Sequence, residues 1–250
     1  MQNINEKTTQ KYWEDVHSSH PRLRLPSNFI VSTRDLQKLL TSYIKPQMHV
    51  LEIGCAPGKQ LAYVGKILKA KVSGVDFSER GINSSQQLFE VLGIEGDLRC
   101  ENIFSTSFKP DSFDLVYSRG VIEHFDDPTA IVRRHVELLR PAGIALIIIP
   151  NYHGIYGRLQ SYFDPENLLN HNLNIMTSNA LIKLAPDDLI DELHIFPYGR
   201  LNPWLINFNK KWPPLIAKAA HFFLNFIGML QPFEIKLLCS TMVLKLVRAR

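Results

Sequence analysis

The sequence is poor in cysteine, in long apolar runs and in net charge. Three cysteines in 250 residues provide neither a disulfide framework nor paired metal ligands, so they favour a reducing compartment. No window contains about 18 uncharged apolar residues, which excludes a predicted membrane-spanning helix. The polar N-terminal segment predicts no signal peptide, and we expect a cytoplasmic location. With 45% hydrophobic and 21% charged residues, the composition is that of a globular protein with a full core.

The net charge of +4 is distributed unevenly along the chain. Residues 200–250 contain eight Lys and Arg but one Glu, whereas residues 1–199 contain 20 basic and 23 acidic residues. Proteins that bind nucleic acids more often spread basic residues along a groove, so we expect no nucleic-acid partner. The basic end is either a solvated terminus, which we favour, or a weak contact of residues 213–250 with an anionic membrane surface. The sequence does not indicate an oligomeric state.

Apolar runs alternate with helical patterns over the first 150 residues, which is typical of a parallel sheet flanked by helices. The predicted strands are residues 49–53, 72–75, 98–101, 113–117 and 144–149. The predicted helices are residues 32–43 with Ser32 as the N-cap, residues 59–68, a stretch capped by Ser78, and residues 129–138. The sequence therefore predicts an α/β fold.

The alternation ends after Pro150. Residues 151–176 have no clean period and predict a long loop or a partly helical lid. Further elements are a helix at residues 178–185, strands at 193–196 and 240–247, and an apolar helix within 213–230. That last helix has a narrow polar stripe of Lys218, His221 and Asn225. It is either buried against the sheet, which we favour, or placed on a membrane surface.

A glycine-bearing turn follows the first buried strand and opens a helix. Gly54 and Gly58 allow the backbone to pass close to a ligand, but their spacing is neither that of a dinucleotide site nor that of a P-loop. Asp76 follows the second strand, where a carboxylate can accept hydrogen bonds from both hydroxyls of a ribose. Its alternative role is that of an acid at the N-terminus of the helix that Ser78 caps.

These residues together resemble the class I S-adenosylmethionine-dependent methyltransferases, in particular the branch similar to the ubiquinone-pathway O-methyltransferases. The resemblance covers about residues 30–150 and rests on five segments in order: Glu52–Gly58, Asp76, Glu101–Phe104, Ser112–Val116 and Leu139–Gly143. Ala56 and Asn102 depart from the family pattern, because they stand where glycine and aspartate are more usual. An asparagine oxygen can still accept a hydrogen bond from an adenine amino group.

The resemblance implies a single Rossmann-like domain over residues 1–250. Its sheet would have seven strands, mostly parallel, with helices on both faces and an α-helical lid or insert. The implied parts are an N-terminal helical lid at 1–45, a cofactor-binding core at 46–150, an acceptor-side lid and helical insert at 151–235, and a final strand at 236–250. The implied cofactor is S-adenosylmethionine, and the product is S-adenosylhomocysteine.

By the same resemblance, Glu52 and the amides around Gly54 would hold the methionine portion of the cofactor. Ser118 and Arg119 would line that end, and Phe77 and Ile103 would enclose the adenine. The full set of predicted cofactor-binding residues is Glu52, Gly54, Cys55, Gly58, Asp76, Phe77, Asn102, Ile103, Ser118 and Arg119. The pair Tyr12-Trp13 resembles a segment that folds over the cofactor; alternatively, it docks a loose terminus on the core.

The predicted catalytic residues are His124, Glu123 and His153, with His124 as the candidate general base. The Glu-His pair resembles that of the ubiquinone-pathway enzymes, in which a further Glu three residues earlier helps to bind a divalent metal. Because Gly120 stands at that position, we expect no metal. His124 has the alternative role of a residue that only packs against the cofactor. The lid residues His171, Tyr152 and Tyr156 are further candidates.

The sequence lacks the motifs that are typical of several methyltransferase classes. Tyr117–Gly120 replaces the Asn or Asp-Pro-Pro-aromatic run of amino-methylating nucleic-acid enzymes, and Glu123 has no partner glutamate as in protein-arginine enzymes. We therefore predict methyl transfer to the oxygen or nitrogen of a small hydrophobic or aromatic acceptor. The alternatives are an RNA methyltransferase and a cofactor-binding scaffold without catalysis. The acceptor pocket is expected to use Tyr152, Tyr156, Tyr162, Phe163, Trp204, Phe208, Trp212, Phe222, Phe223 and Phe226.

Overall fold

A computed structural model describes residues 6–18 and 22–250 of the chain, which build a seven-stranded sheet. The strands are β1 (His49–Ile53), β2 (Lys71–Asp76), β3 (Gly96–Cys100), β4 (Phe113–Arg119), β5 (Leu139–Pro150), β6 (Ile190–Tyr198) and β7 (Thr241–Arg248). They lie in the order β3-β2-β1-β4-β5-β7-β6. Strands β1 to β5 are parallel, whereas β7 runs antiparallel to both β5 and β6. The predicted mostly parallel, Rossmann-like sheet is confirmed.

Helices cover both faces of the sheet. They are α1 (Gln10–Val16), α2 (Val31–Tyr43), α3 (Lys59–Lys66), α4 (Glu79–Leu92), α5 (Thr129–Glu137), α6 (Ile155–Phe163), α7 (Pro165–Leu169), α8 (Ser178–Ile182) and α9 (Pro214–Leu230). One apolar cluster joins the sheet to α2, α3 and α4, and the other joins it to α5 and the segment after β5. The two clusters bury β1 on both sides, which explains why Val50, Leu51 and Ile53 are apolar although they alternate between the two faces.

Local sequence signals set some helix boundaries. Ser78 caps α4 as predicted, because its Oγ accepts a hydrogen bond from the Gly81 amide at 3.0 Å. The prediction of Ser32 as the cap of α2 is wrong, since that helix begins at Val31 and Ser32 lies inside it. The acceptor for the Val31 amide is instead the Asn225 side chain, 3.0 Å away on α9. A residue distant in the sequence thus provides the hydrogen-bond acceptor that the first N–H group of α2 lacks within its own helix.

The segment after β5 is more regular than the sequence predicts. Residues 151–176 contain α6, α7 and a short 3-10 turn at Leu173–Ile175, and α8 ends at Ile182 rather than at residue 185. The Tyr156 hydroxyl donates to the Leu238 carbonyl at 2.9 Å and accepts from the Asn202 amide at 3.0 Å. These bonds hold α6 against the chain segments that precede α9 and β7.

Helix α9 is not buried against the sheet, which corrects the preferred prediction. Its principal contacts are with α2 and with two 3-10 turns, Pro203–Leu205 and Phe208–Lys210. Most of its large apolar side chains are exposed. Among the described residues, no helix combines the length and the hydropathy that a membrane crossing requires.

Candidate active site

Two adjoining cavities open beyond the carboxyl ends of the parallel strands, where ligands of such sheets bind. The first cavity lies between the ends of β1 and β2 and helix α1. The second cavity lies between the ends of β1, β4 and β5 and the segment that follows β5. Both are lined by Gly54, Ala56, Arg119, Gly120 and His124.

Asp76 organises the turn between β1 and α3 and also lines the first cavity. Its Oδ2 accepts a hydrogen bond from the Ala56 amide at 3.1 Å, and its Oδ1 accepts one from the Ser78 amide at 2.9 Å. Burial raises the pKa of this carboxyl, and the two amide hydrogen bonds oppose the rise. Each carboxylate oxygen keeps a free lone pair, so both predicted roles of Asp76 are compatible with its position.

The predicted adenine residues lie together at the first cavity. Phe77 and Ile103 line it from the ends of neighbouring strands, and Asn102 lies beside them. The Asn102 Oδ1 accepts a hydrogen bond from the Phe104 amide at 2.9 Å, which caps the 3-10 turn at Ile103–Ser105. A ligand amino group would therefore use the second lone pair of this oxygen.

The backbone amides of the glycine turn already donate hydrogen bonds to other groups of the protein. The Gly54 and Cys55 amides donate to the Val75 carbonyl at 2.8 and 3.3 Å, and the Gly58 amide donates to the Cys55 carbonyl at 2.7 Å. The expectation that amides around Gly54 hold a ligand is therefore corrected. Gly54 is needed for shape, because it has a φ of +72° and a Cβ there would lie 2.5 Å from Val121 Cγ2.

Three predicted residues lie outside the described cavities. Gly58 packs the start of α3 on α4, since a Cβ there would lie 2.8 Å from the Cβ of Ser85. Ser118 is fully buried in β4, and its Oγ lies 2.9 Å from His135 Nε2 on the opposite side of the strand from Arg119. His153 is exposed just before α6.

Two buried carboxyl groups flank Arg119 at the second cavity. Glu52 is 5% exposed and Glu123 is 1% exposed, and neither Oε2 atom has a hydrogen-bond partner among the described residues. Burial raises the pKa of each carboxyl to about 8, and the positive charge of Arg119 opposes the rise. Because buried polar groups are normally paired, these two oxygens make this side of the second cavity a candidate position for a polar ligand group.

A pair of neutral imidazoles lies next to these carboxyl groups. His124 Nδ1 donates to the Asn170 carbonyl at 2.8 Å, and His171 Nδ1 donates to the Asn167 carbonyl at 2.9 Å. A carbonyl can only accept, so each ring keeps the lone pair of its Nε2. Burial lowers the pKa of His124 to about 4, with a smaller effect from His171, and burial also lowers the pKa of His171.

Glu123, His124 and His171 have ligand atoms that lie within 4.8 Å of one another. A carboxylate and two imidazoles of this kind could hold a divalent ion. The expected absence of a metal therefore stays a prediction. The sequence suggested His171 only as one of several lid candidates, because it lies more than forty residues after the pair that it joins.

The N-terminal segment covers the first cavity. Trp13 lines it and contacts His124 edge-to-face, with 5.1 Å between ring centroids. The Glu14 carboxylate accepts hydrogen bonds from the first amides of α4, including that of Glu79 at 2.7 Å. This geometry is compatible with the predicted covering role of Tyr12-Trp13.

Most of the aromatic residues expected at the acceptor pocket lie elsewhere. Tyr152 lines the second cavity, whereas Phe163, Phe208 and Trp212 pack on one another in the insert. Sequence reasoning missed several residues that line the second cavity, and no local signal marks them: Gln60, Asn202, Leu205 and Thr241.

The comparisons with known proteins agree with this arrangement. The methyltransferase-domain family matches residues 51–147. The chain is 32% identical over 99 residues to a ubiquinone biosynthesis O-methyltransferase of Neisseria meningitidis serogroup A, covering 38% of this chain and 41% of that protein. It is 30% identical over 100 residues to cycloartenol-C-24-methyltransferase 1 of Oryza sativa subsp. japonica, covering 39% of this chain and 29% of that protein. The chain thus spans less than half the length of these relatives.

Solved structures support the fold. The phosphoethanolamine N-methyltransferase 2 of Haemonchus contortus superposes with a TM-score of 0.64 at 17% identity, covering 96% of this chain and 58% of that one. The [4+2]-cyclase SpnF superposes with a TM-score of 0.59 at 14% identity, covering 87% and 81%. The matched residues 51–147 include all five of the predicted motifs. Residues 51–147 therefore match the methyltransferase-domain family, and the solved structures with the same fold include one that binds S-adenosylhomocysteine and one that binds S-adenosylmethionine.

Proposed function

We propose that this chain transfers the methyl group of S-adenosylmethionine to the oxygen or nitrogen of a small, hydrophobic or aromatic acceptor. The observation that carries the proposal is the junction of the two cavities at Gly54, Arg119 and His124. One cavity is lined by residues that we expect to hold the cofactor, and the other combines apolar and polar side chains with a free imidazole nitrogen. A methyl donor and its acceptor must meet at such a junction for direct transfer.

The residues at the first cavity fit the cofactor. Asp76 has free lone pairs for two ribose hydroxyls, and Phe77 and Ile103 provide apolar walls for an adenine ring. Glu52 lies on the second cavity, on the far side of the shared residues Gly54 and Ala56. Its buried Oε2 has no hydrogen-bond partner in the described part of the chain, so it suits the ammonium group of a methionine portion.

The second cavity supports an acceptor with apolar surface. Ile149, Pro150, Tyr152 and Leu205 belong to the apolar part of its wall, and the polar part comprises Glu52, Lys59, Gln60, Arg119, Glu123, His124, His171, Asn202 and Thr241. The Tyr152 hydroxyl donates to the Leu205 carbonyl at 3.2 Å and so connects two sides of the wall. The polar groups give a small acceptor a fixed orientation.

His124 is our candidate for the proton acceptor in this reaction. When bound, the cofactor supplies an activated methyl group, so the protein mainly orients the acceptor and takes up its proton. The imidazole is neutral at physiological pH because burial lowers its pKa to about 4. Its Nδ1 is fixed by the Asn170 carbonyl, which leaves Nε2 for the acceptor's proton. Glu123 and His171 lie beside it and would hold the ring in place.

The cofactor site is tested by calorimetric titration of the protein with S-adenosylhomocysteine. We expect micromolar binding that Asp76→Ala weakens by about tenfold or more, a difference of about 1.4 kcal/mol. Asp97→Ala is the matched control, because Asp97 is exposed on β3 and pairs with Arg99. Equal binding by wild type and Asp76→Ala would contradict the assignment of the cofactor cavity.

Methyl transfer is tested separately, by release of S-adenosylhomocysteine in a screen of hydrophobic and aromatic acceptors. We expect turnover that His124→Ala lowers while cofactor binding is retained. A protein that binds the cofactor and turns over no acceptor would be the non-catalytic scaffold. Turnover that requires RNA would instead indicate an RNA methyltransferase, and RNA binding would then fall steeply with salt.

A further inference from the structure

Helix α9 is oriented with its apolar face outward. The side chains that it buries are small or polar, namely Ala217, Asn225 and Gly228. The outward positions fall at i, i+1, i+7, i+8, i+11, i+12 and i+15 from Leu215 and so form one continuous stripe. The exposed members of this stripe are Leu215 (80%), Ile216 (55%), Phe222 (58%), Phe223 (65%), Phe226 (59%), Ile227 (40%) and Leu230 (65%).

Specific contacts fix this orientation. The Asn225 side chain accepts a hydrogen bond from the Val31 amide at 3.0 Å and donates one to the Phe29 carbonyl at 2.8 Å. The Gly228 backbone passes so close to Leu201 that a Cβ would lie 2.3 Å from its carbonyl oxygen. Rotation of α9 to hide its phenylalanines would break these contacts. The fold therefore holds the apolar stripe of α9 in its exposed orientation.

The stripe continues beyond the helix. Phe29, which is bonded to Asn225, is 84% exposed, and Phe233 and Leu237 after the helix are each 68% exposed. Single exposed apolar residues are normal on a protein surface, but a contiguous set of this size marks an interaction site. The outward face of α9 and these neighbours are called the apolar face below.

Cations accompany the apolar face. Lys210, Lys218 and Lys236 are exposed, and none of them forms a salt bridge to a residue in the described ranges. The segment 200–250 carries eight basic residues and a single acidic one, Glu234. Phenylalanine and leucine on one face, bordered by lysine, suit an interface between water and anionic lipid. A second copy of this chain would bring the same positive charges together, which opposes a homodimer.

We propose that the apolar face docks on the surface of a bilayer that contains anionic lipids. The phenylalanine and leucine side chains enter the boundary between headgroups and acyl chains, and the lysines contact lipid phosphates. Helix α9 lies in the plane of the surface and does not cross the bilayer. The docking does not depend on methyl transfer, so its test is independent of the proposed function.

Docking would also place one wall of the second cavity close to the lipid. The first residues behind α9 are those of the turn Pro203–Leu205, where the Trp204 ring stacks on His221 with 4.6 Å between centroids. Leu205 of the same turn lines the second cavity. A hydrophobic acceptor dissolved in the membrane would therefore have a short path to the site.

The proposal is tested by flotation of the purified protein with phosphatidylcholine vesicles, with and without added phosphatidylglycerol. We expect binding to the anionic vesicles that weakens at high salt. The double variant Phe223→Ser/Phe226→Ser should lower the apparent partition coefficient by about tenfold or more, because it removes two large inserted groups. The control Val91→Ser, on an exposed position of α4, should bind as the wild type does.

A second variant separates charge from apolar insertion. Lys210→Ala/Lys218→Ala/Lys236→Ala should abolish the preference for anionic vesicles, since each lysine contributes an electrostatic attraction. Equal flotation of wild type and Phe223→Ser/Phe226→Ser would overturn the proposal. A wild-type dimer by light scattering that becomes a monomer in the same double variant would also overturn it, and would assign the apolar face to self-association.

Discussion

The unusual protonation of Glu52 predicts that its replacement by glutamine stabilises the ligand-free protein. Burial raises the pKa of this carboxyl from 4.5 to about 8, so the folded protein keeps a proton that the unfolded chain releases. A raised pKa contributes stability that is present below about pH 4.5 and is lost as the pH rises toward about 8. Each pH unit in this interval costs about 1.4 kcal/mol, which amounts to about 3 kcal/mol at neutral pH.

Glu52→Gln has the same shape as the protonated carboxyl and releases no proton on unfolding. The free energy of unfolding of the variant should therefore exceed that of the wild type by a difference that grows from about pH 5 to about pH 8. Because Glu123 is present in both proteins, its own raised pKa cancels in the comparison. The same substitution should weaken binding of S-adenosylhomocysteine, since an amide lacks the charge that an ammonium group needs.

The measurement is urea unfolding of both proteins at several pH values between about 5 and about 8. Glu90→Gln, at an exposed position of α4, is the control for the loss of a carboxyl group. A stability difference for Glu52→Gln that stays constant over the whole range would refute the reasoning. It would mean that Glu52 is ionised in the folded protein.

Two further predictions follow from the contacts of α9 and of the His124 pair. Asn225→Ala should lower the free energy of unfolding by about 2–4 kcal/mol, because it leaves the Val31 amide and the Phe29 carbonyl without partners. Urea unfolding measures this free energy, and a decrease of less than about 0.5 kcal/mol would contradict the prediction. The rate of methyl transfer should be unchanged after treatment with a chelator, because Gly120 stands where the ubiquinone-pathway enzymes have a metal-binding glutamate. A loss of activity that added divalent ions restore would assign a metal to Glu123, His124 and His171.

The central sheet could be predicted because its signals are local. Strand β1 contains Val50, Leu51 and Ile53, and β4 contains Leu115, Val116 and Tyr117, as expected of parallel strands that are covered on both faces. The cap at Ser78 also depends on residues only three positions away. Asp76, Phe77 and Ile103 could be placed at one edge because each follows the end of a parallel strand.

The remaining features depend on long-range contacts or on the direction of a single side chain. The cap of α2 is supplied by Asn225, almost two hundred residues away. Ser118 and Arg119 are adjacent in β4 and so face opposite sides of the sheet, which the motif alone does not decide. In α9 the period of the apolar residues is visible in the sequence, but the tertiary hydrogen bonds of Asn225 determine that Asn225 faces inward while Lys218 stays exposed.

The position of β7 determines the order in which the sheet can be completed. Within the described ranges, strand β6 pairs with β7 alone, and β7 follows all the other strands of the sheet in the sequence. On the ribosome, residues 190–198 therefore emerge before their only partner has been made, and their backbone groups remain unpaired while the intervening segment is synthesised. The parallel pairs among β1 to β5 are all synthesised by residue 150, whereas the other edge of β5 also pairs with β7. Completion of the acceptor-side wall, which includes Thr241 at the start of β7, therefore requires the synthesis of β7.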